Sequence, residues 1–288
     1  MDVIASGPVA TPDIPVSSGD RLVGIVPLER LLAARADASL ATIMETPVTV
    51  PVSFDQERIA FEAARTGSRS VVVIDDAGRF MRIVPPEQLI AVLSKEHDED
   101  LARLGGFLAR SGAARDAAEE SVPRRLWHRL PWLALGLLGA MLSAGIVASF
   151  EEELERQVLL AFFVPAVVYM ADAVGTQTET VVIRGMALGV SLRTIARREL
   201  GTGVIIGCLL AGAFFVFARL VWGDARIAAV VSISLLVSAS IATLIAMSLP
   251  YALARLGRDP AFGSGPLATV IQDLLSIAAY FTVAEALL

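Results

Sequence analysis

Apolar residues gather into five long runs in the second half of the chain, at 131–150, 158–173 continuing past Gly175, 204–221, 227–249 and 267–288. About twenty apolar residues wound as a helix cross the ~30 Å hydrocarbon core of a bilayer. The pattern therefore predicts an α-helical polytopic membrane bundle with five transmembrane helices over residues 131–288. Ahead of it the periods are shorter. Residues 21–27 and 79–85 read as matching strands, 70–74 as a β-branched strand, and Asp75-Asp76-Ala77-Gly78 as the turn that follows it. Residues 54–65 put Ile59, Phe61, Ala63 and Ala64 on one helical face.

The resulting order is helix, strand, turn, strand, helix, once complete and once lacking its front. Residues 1–93 are thus expected to form a small α/β domain, with 1–19 poorly ordered or irregularly paired. Residues 94–130 are read as a connecting segment, with Leu101, Leu104, Phe107 and Leu108 at amphipathic helical spacing. Charge follows the same division, with Asp, Glu, Arg and Lys concentrated before residue 130.

Composition narrows the function. Only 19% of the residues are charged and 55% are hydrophobic, and soluble domains carry nearer 25% charge. A net charge of −6 without a basic aromatic module argues against nucleic acid. The one cysteine, Cys208, can form no intrachain disulfide, and residues 1–10 carry no secretory signal pattern. Arg124, Arg125 and Arg129 before the first run, Arg193, Arg197 and Arg198 after the second, and Arg255 and Arg258 after the fourth mark the cytoplasmic side. The acidic 151–155 stretch falls opposite. The expected topology is multi-pass in the plasma membrane, with the N-terminus cytoplasmic and the C-terminus extracytoplasmic.

Polar residues inside the runs carry the chemistry. A charge at the bilayer centre costs at least ~3 kcal/mol on insertion scales, so it normally faces protein or water. Asp172, Thr176 and Glu179 fall at i, i+4 and i+7 on one helical face, with Gln177, Thr180 and Arg184 beside them. Pro165 and Gly175 predict a bend or a local break there. Arg184 could neutralise a carboxylate on a neighbouring helix. In the last run Asp273 stands among aliphatic residues, with Gly265 and Thr269 before it and Ser276 and Tyr280 after it in an expected pore-lining stripe. A lone carboxylate suits Mg²⁺ poorly, because that ion favours six oxygens and keeps much of its water. Two copies of Asp273 facing across a twofold axis would suit it better. Glu96, Asp98, Glu99 and Asp100 are either a solvated face or a cytoplasmic metal site. Gly203 with Gly207, and Gly185 with Gly189, are spaced for close helix contacts.

Several of these motifs, in order, resemble the MgtE family of magnesium channels and transporters. They are Gly175-Thr176-Gln177, Val182 to Gly189, Arg197-Arg198-Glu199-Leu200 with Gly203, Arg258-Asp259-Pro260-Ala261, and Ser264 to Thr269 followed by Asp273. The front of the chain resembles a CBS module, its second repeat entered at Ala41 to Val50. Where nucleotide-binding members carry a hydroxyl residue and then an Asp, this chain has Pro27 and Arg30, then Pro85 and Gln88, so no adenosine nucleotide is expected. The resemblance implies a cytoplasmic N-terminus, a homodimer with the ion path near its interface, and Asp273 as the central cation-binding Asp. It departs from the family where Gly-Asn-Ala reads Asp172-Ala173-Val174, in a shortened first CBS repeat, and in lacking the preceding acidic helical domain.

The expected function is therefore divalent cation transport, Mg²⁺ first, in a lipid bilayer, with Asp273, Thr269 and Gly265 binding the cation. Asp172, Thr176, Gln177, Glu179, Arg184 and Ser276 line the path or support it. No enzymatic signature and no organic cofactor are expected. The alternatives are a non-transporting regulatory or scaffold protein on the same bundle and a proton-coupled Mn²⁺ or Co²⁺ transporter.

Overall fold

The structure, a computed structural model, describes residues 13–54, 56–104, 121–262 and 264–288, without the side chains of 100–104. It divides into two compact units, one up to Asp98 and one from Glu99 onward.

In the first unit β1 (Asp13–Ser18) and β2 (Arg21–Pro27) form an antiparallel hairpin with a register shift between Val16 and Ser17. Asp13–Ser18 thus pairs, irregularly, where the sequence left the choice open. The hairpin is followed by α1 (Leu28–Ala33), α2 (Leu40–Ile43) and β3 (Val48–Pro51), then α3 (Gln56–Thr66), β4 (Val71–Ile74), β5 (Phe80–Val84) and α4 (Pro86–Leu104). β3 pairs parallel with β4, and β4 antiparallel with β5. A parallel pair needs a crossover, and α3 provides it. The core follows the two periods: Val50, Val71, Val73 and Val84 from the strands meet Ile59, Ala60 and Ala63 of α3 and Leu89 and Val92 of α4. Glu45 joins the hairpin to the rest through two backbone hydrogen bonds with Ile25, of 2.8 and 3.0 Å. Ser70 donates to the buried carboxylate of Asp13.

No helix breaker separates Leu93 from Leu104, so the helix begun at Pro86 runs on past the expected domain edge at 93. Gln56 donates to Glu96 at 2.8 Å, which ties α4 to α3. Among the described residues no group of three or more His, Cys, Asp or Glu side chains is gathered as a metal site. The reading of Glu96, Asp98 and Glu99 as such a site therefore finds no support; the side chain of Asp100 and residues 105–120 lie outside the described residues.

The second unit contains α5 (Val122–Ala148), α6 (Glu151–Arg156), α7 (Leu159–Ala187), α8 (Leu192–Trp222), α9 (Ala225–Arg255) and α10 (Ser264–Leu287). All but α6 are long and apolar enough to span a bilayer, since even 24 residues rise roughly 36 Å. Their ends reach beyond the apolar runs because Arg193, Arg197 and Arg198 are carried on the first turns of α8, where long basic side chains can reach the interface. Between α8 and α9, Gly223 takes the left-handed conformation (φ 74°) that closes one helix. Asp224 then caps the next, accepting from Arg226 N at 2.8 Å and Ile227 N at 3.2 Å.

α9 is the hub, packing on α7, α8 and α10, while α5 packs on α10. One end of the core is aromatic: Phe150 stacks on Phe281 at 4.8 Å, and Phe163 meets Trp222 edge-on at 5.0 Å. α7 is a single helix through Pro165 and Gly175, so the expected break is absent. Pro165 lies within two turns of the helix start, and Gly175 is held from outside by a packed neighbour described below. Gly185 packs closely against Ile195 of α8, where a Cβ would overlap its side chain, while Gly189 lies just past the end of α7 at φ 71°.

Two predictions follow from these contacts. The Asp75 carboxylate accepts from Ala77 N at 3.0 Å and Arg79 N at 2.8 Å and pairs with the Arg79 guanidinium at 2.7 Å. The backbone and side chain of Arg79 hold its carboxyl below the usual range, so its stabilisation is full at neutral pH and is lost as acid protonates it. Thermal unfolding of the first unit should decline with pH below the ordinary carboxyl range, and Asp75→Asn should remove part of that dependence. In the second unit a side chain at Gly203 would overlap Thr243 of α9, whereas Gly201 faces open space. Gly203→Leu should lower the melting temperature in detergent, by about 1–3 kcal/mol of overpacking, with Gly201→Leu unchanged.

Candidate cation site

Six residues at intervals of four, Ser264, Ala268, Gln272, Ser276, Tyr280 and Ala284, make one stripe of α10, each at most 1% exposed. This is the face turned into the chain's own bundle. The Tyr280 hydroxyl donates to the Leu160 carbonyl of α7 at 2.8 Å. Gln272 lies on α7 at Gly175, so close that a Cβ there would overlap its amide. Among the described residues its Oε1 has no hydrogen-bond partner, nor does Ser276 Oγ.

Gly265, Thr269 and Asp273 form the adjoining stripe, offset by one residue, and all three are half-buried. The expected pore stripe is thereby divided. Ser276 and Tyr280 belong to the inner packing face because four-residue spacing from Gln272, not from Asp273, sets their direction.

Across from α10, α7 presents Asp172, which accepts from Thr269 Oγ1 at 3.0 Å. Asp172 lies within electrostatic reach of both Asp273 and Glu179. Glu179 is buried, 4% exposed, whereas Thr176, Gln177 and Arg184 are on the chain's outer surface. None of the three carboxylates takes part in an ion pair among the described residues. Arg184 lies exposed near the C-terminal end of α7, apart from these three carboxylates.

A cavity of about 890 Å³ opens between α5, α7 and α10. Trp132, Leu133 and Leu137 form its apolar wall, and Thr176, Glu179, Gly265 and Thr269 are on the opposite side. The structure therefore brings together Asp172, Thr269, Asp273, Glu179 and Gly265. Thr176 joins them only at the rim, while Gln177 and Arg184 stay apart. Gln272 escapes notice in the sequence because it follows the register of buried residues, not that of Asp273. Its signal is a glutamine four residues from both Ala268 and Ser276, opposite a glycine.

This unit is a multi-pass helical membrane domain with carboxylates at its helix contacts. Residues 164–283 match the family model MgtE, described as a divalent cation transporter. The magnesium transporter MgtE of Thermus thermophilus is 32% identical over 280 residues, covering 95% of this chain and 61% of that protein. The protein of the same name from Bacillus subtilis is 32% identical over 280 residues, with 94% and 60% covered. A CBS domain protein from Shewanella oneidensis MR-1 is similar at 24% identity and a TM-score of 0.25, covering 33% of this chain and 77% of that one. The chain is similar to MgtE-family proteins along nearly its whole length, and it spans about three-fifths of the length of the curated relatives it matches.

The Gly175–Gln272 contact generates a double-mutant test. Gly175→Ala should destabilise the membrane unit by about 1–3 kcal/mol through overpacking. In Gln272→Ala, which clears that space, the same substitution should cost much less. Melting temperatures of the four proteins in detergent measure the coupling.

Proposed function

We propose that this protein transports divalent cations, Mg²⁺ foremost, through a homodimeric pore in the plasma membrane. The observation that carries the reading is the hydrogen-bonded Thr269–Asp172 pair beside half-buried Asp273, inside the helices that match a divalent cation transporter family. Its relatives' names supply the ion.

The chemistry supports a shared site. Within one chain no three acidic, His or Cys side chains among the described residues converge as a metal site, so a dehydrated ion would find too few ligands. Two Asp273 carboxylates meeting at a twofold axis could hold a hydrated Mg²⁺ from outside its water shell. The cation enters by attraction to that doubled charge and leaves because its own water spares it full coordination, as conduction requires. Thr269 fixes Asp172, which adds negative potential without direct ligation; Gly265, with no side chain, leaves the path open. The arginine pattern sets the N-terminus and the first unit on the cytoplasmic side. The first unit resembles CBS modules in its strand and helix order, and no nucleotide or organic cofactor is part of the proposal.

Liposome flux tests this. Asp273→Ala should reduce Mg²⁺ uptake by at least about ten-fold, the loss of ~1.4 kcal/mol of cation stabilisation. Asp172→Ala should reduce it less, and a pH gradient should leave the parent's flux unchanged. Unaltered flux in Asp273→Ala would defeat the assignment and favour a bundle that does not transport. A pH-driven flux with equal loss in Asp172→Ala would favour proton coupling.

A further inference from the structure

The Asp273 position leaves one buried acid unexplained. Glu179 is 4% exposed and lines the cavity of about 890 Å³, and its Oε1 has no hydrogen-bond partner among the described residues. Ser264, fully buried, adjoins it, and its Oγ is also unpartnered. A carboxylate oxygen shielded from bulk water, with a single serine hydroxyl nearby to answer it, is costly. It is tolerated where a ligand supplies what the protein does not.

The cavity's chemistry selects that ligand. The donors that reach it are oxygens: the Glu179 carboxylate, and the hydroxyls of Thr176, Thr180 and Thr269. Among the described residues, sulfur and imidazole are missing from the wall, which favours a hard cation over a soft one. Arg129 also lines the cavity, but it is not within ion-pair distance of Glu179. An anion would meet Glu179 unscreened. A liquid-like water takes ~30 Å³, so an ion with its whole first shell fits within about 890 Å³. Mg²⁺ keeps several waters and accepts one or two carboxylates, which is what this wall offers.

We infer that Glu179, with Ser264 beside it, holds a hydrated divalent cation in the cavity between α5, α7 and α10, one ion per chain and separate from the position at Asp273. The inference rests on the transport reading and adds a second station to it. Asp172, within electrostatic reach of both Asp273 and Glu179, provides continuous negative potential between the two. The stoichiometries differ by construction. A site at paired Asp273 groups is shared by two chains, whereas the Glu179 site is complete within one.

Mn²⁺ is the probe, its free concentration followed by electron paramagnetic resonance during titration of the full-length chain in detergent. Glu179→Gln should lose one bound Mn²⁺ per chain, or weaken it by at least about ten-fold. Asp273→Asn should keep that ion and lose only one ion per pair of chains. Gly136 lines the apolar wall, and a Cβ there meets nothing within 4 Å. Gly136→Trp therefore narrows the cavity from the α5 wall, and should weaken binding of the same ion while melting as the parent does. It decides the matter should Glu179→Gln not fold. Parent-like Mn²⁺ binding in either folded variant overturns the inference, including the case in which Glu179→Gln changes only proton release. Flux that survives in Asp273→Asn would defeat the transport reading while leaving the Glu179 count to stand on its own.

Discussion

An acid group within membrane-spanning helices has to be answered by something, and in this chain the answer is oxygen chemistry rather than basic side chains. In the first unit acids are met by arginine: Glu62 by Arg65 at 2.5 Å, Asp75 by Arg79 at 2.7 Å, Glu45 by Arg30 at 2.6 Å. The arginines of those pairs are exposed, so each pair contributes only modestly to stability. Within the membrane helices the order is reversed. Asp172 is held by a threonine hydroxyl, Glu179 adjoins a serine, and neither carboxylate nor Asp273 is ion-paired among the described residues. An arginine partner would cancel the negative charge permanently. A hydroxyl orients a carboxylate yet leaves its charge available to a mobile cation.

The way α10 is packed explains how that charge stays accessible. Its inner stripe locks the helix through Tyr280 against the Leu160 carbonyl and through Gln272 against Gly175. Both contacts are made to the backbone of α7, so the register between the two helices is fixed without using Asp172, Thr269 or Asp273. Those residues, one position round the helix, remain half-buried. Packing and the half-buried carboxylates are thereby assigned to neighbouring stripes, and a substitution in one register should affect the other only through rigid movement of α10. The polar atoms of Gln272 and Ser276 left unpartnered on the inner stripe are a cost of carrying that lock in amide and hydroxyl form.

Much of this was legible in the sequence and some was not, for identifiable reasons. Five apolar runs announced five spanning helices, because length and hydropathy alone decide that a segment can cross. Asp273 and Asp172 stood out because charge is rare in such runs. What periodicity could not resolve was which of two adjacent stripes turned inward, since a hydrophobic run on every side leaves no polar face to orient it. Ser276 and Tyr280 were accordingly assigned to the face of Asp273, and Gln272 was passed over. The expected break at Pro165 and Gly175 failed for a tertiary reason. Glycine inside a helix is unfavourable by itself by roughly 1 kcal/mol, but here its bare surface is the seat of a neighbouring side chain. In the first unit, β3 was missed and β1 left open because four to six residues interrupted or flanked by proline carry too little pattern, and pairing to β2 and β4 defines them.

The unequal surroundings of the five spanning helices bear on how the bundle is completed. α9 is enclosed by three others, whereas α5 touches chiefly α10 and exposes Leu138, Met141 and Leu142. Lipid can cover such a face as well as protein can, because acyl chains are as apolar as leucine. A surface that also shows Thr176 and Gln177 of α7 is different. Hydroxyl and amide groups gain nothing from acyl chains and are satisfied by water, by headgroups or by another chain. Leucine-rich α5 is thus suited to lipid, and the polar flank of α7 to an aqueous or protein neighbour. That asymmetry is what a bundle needs if its ion path is to run along one side of each chain instead of through its middle, where α9 leaves no room.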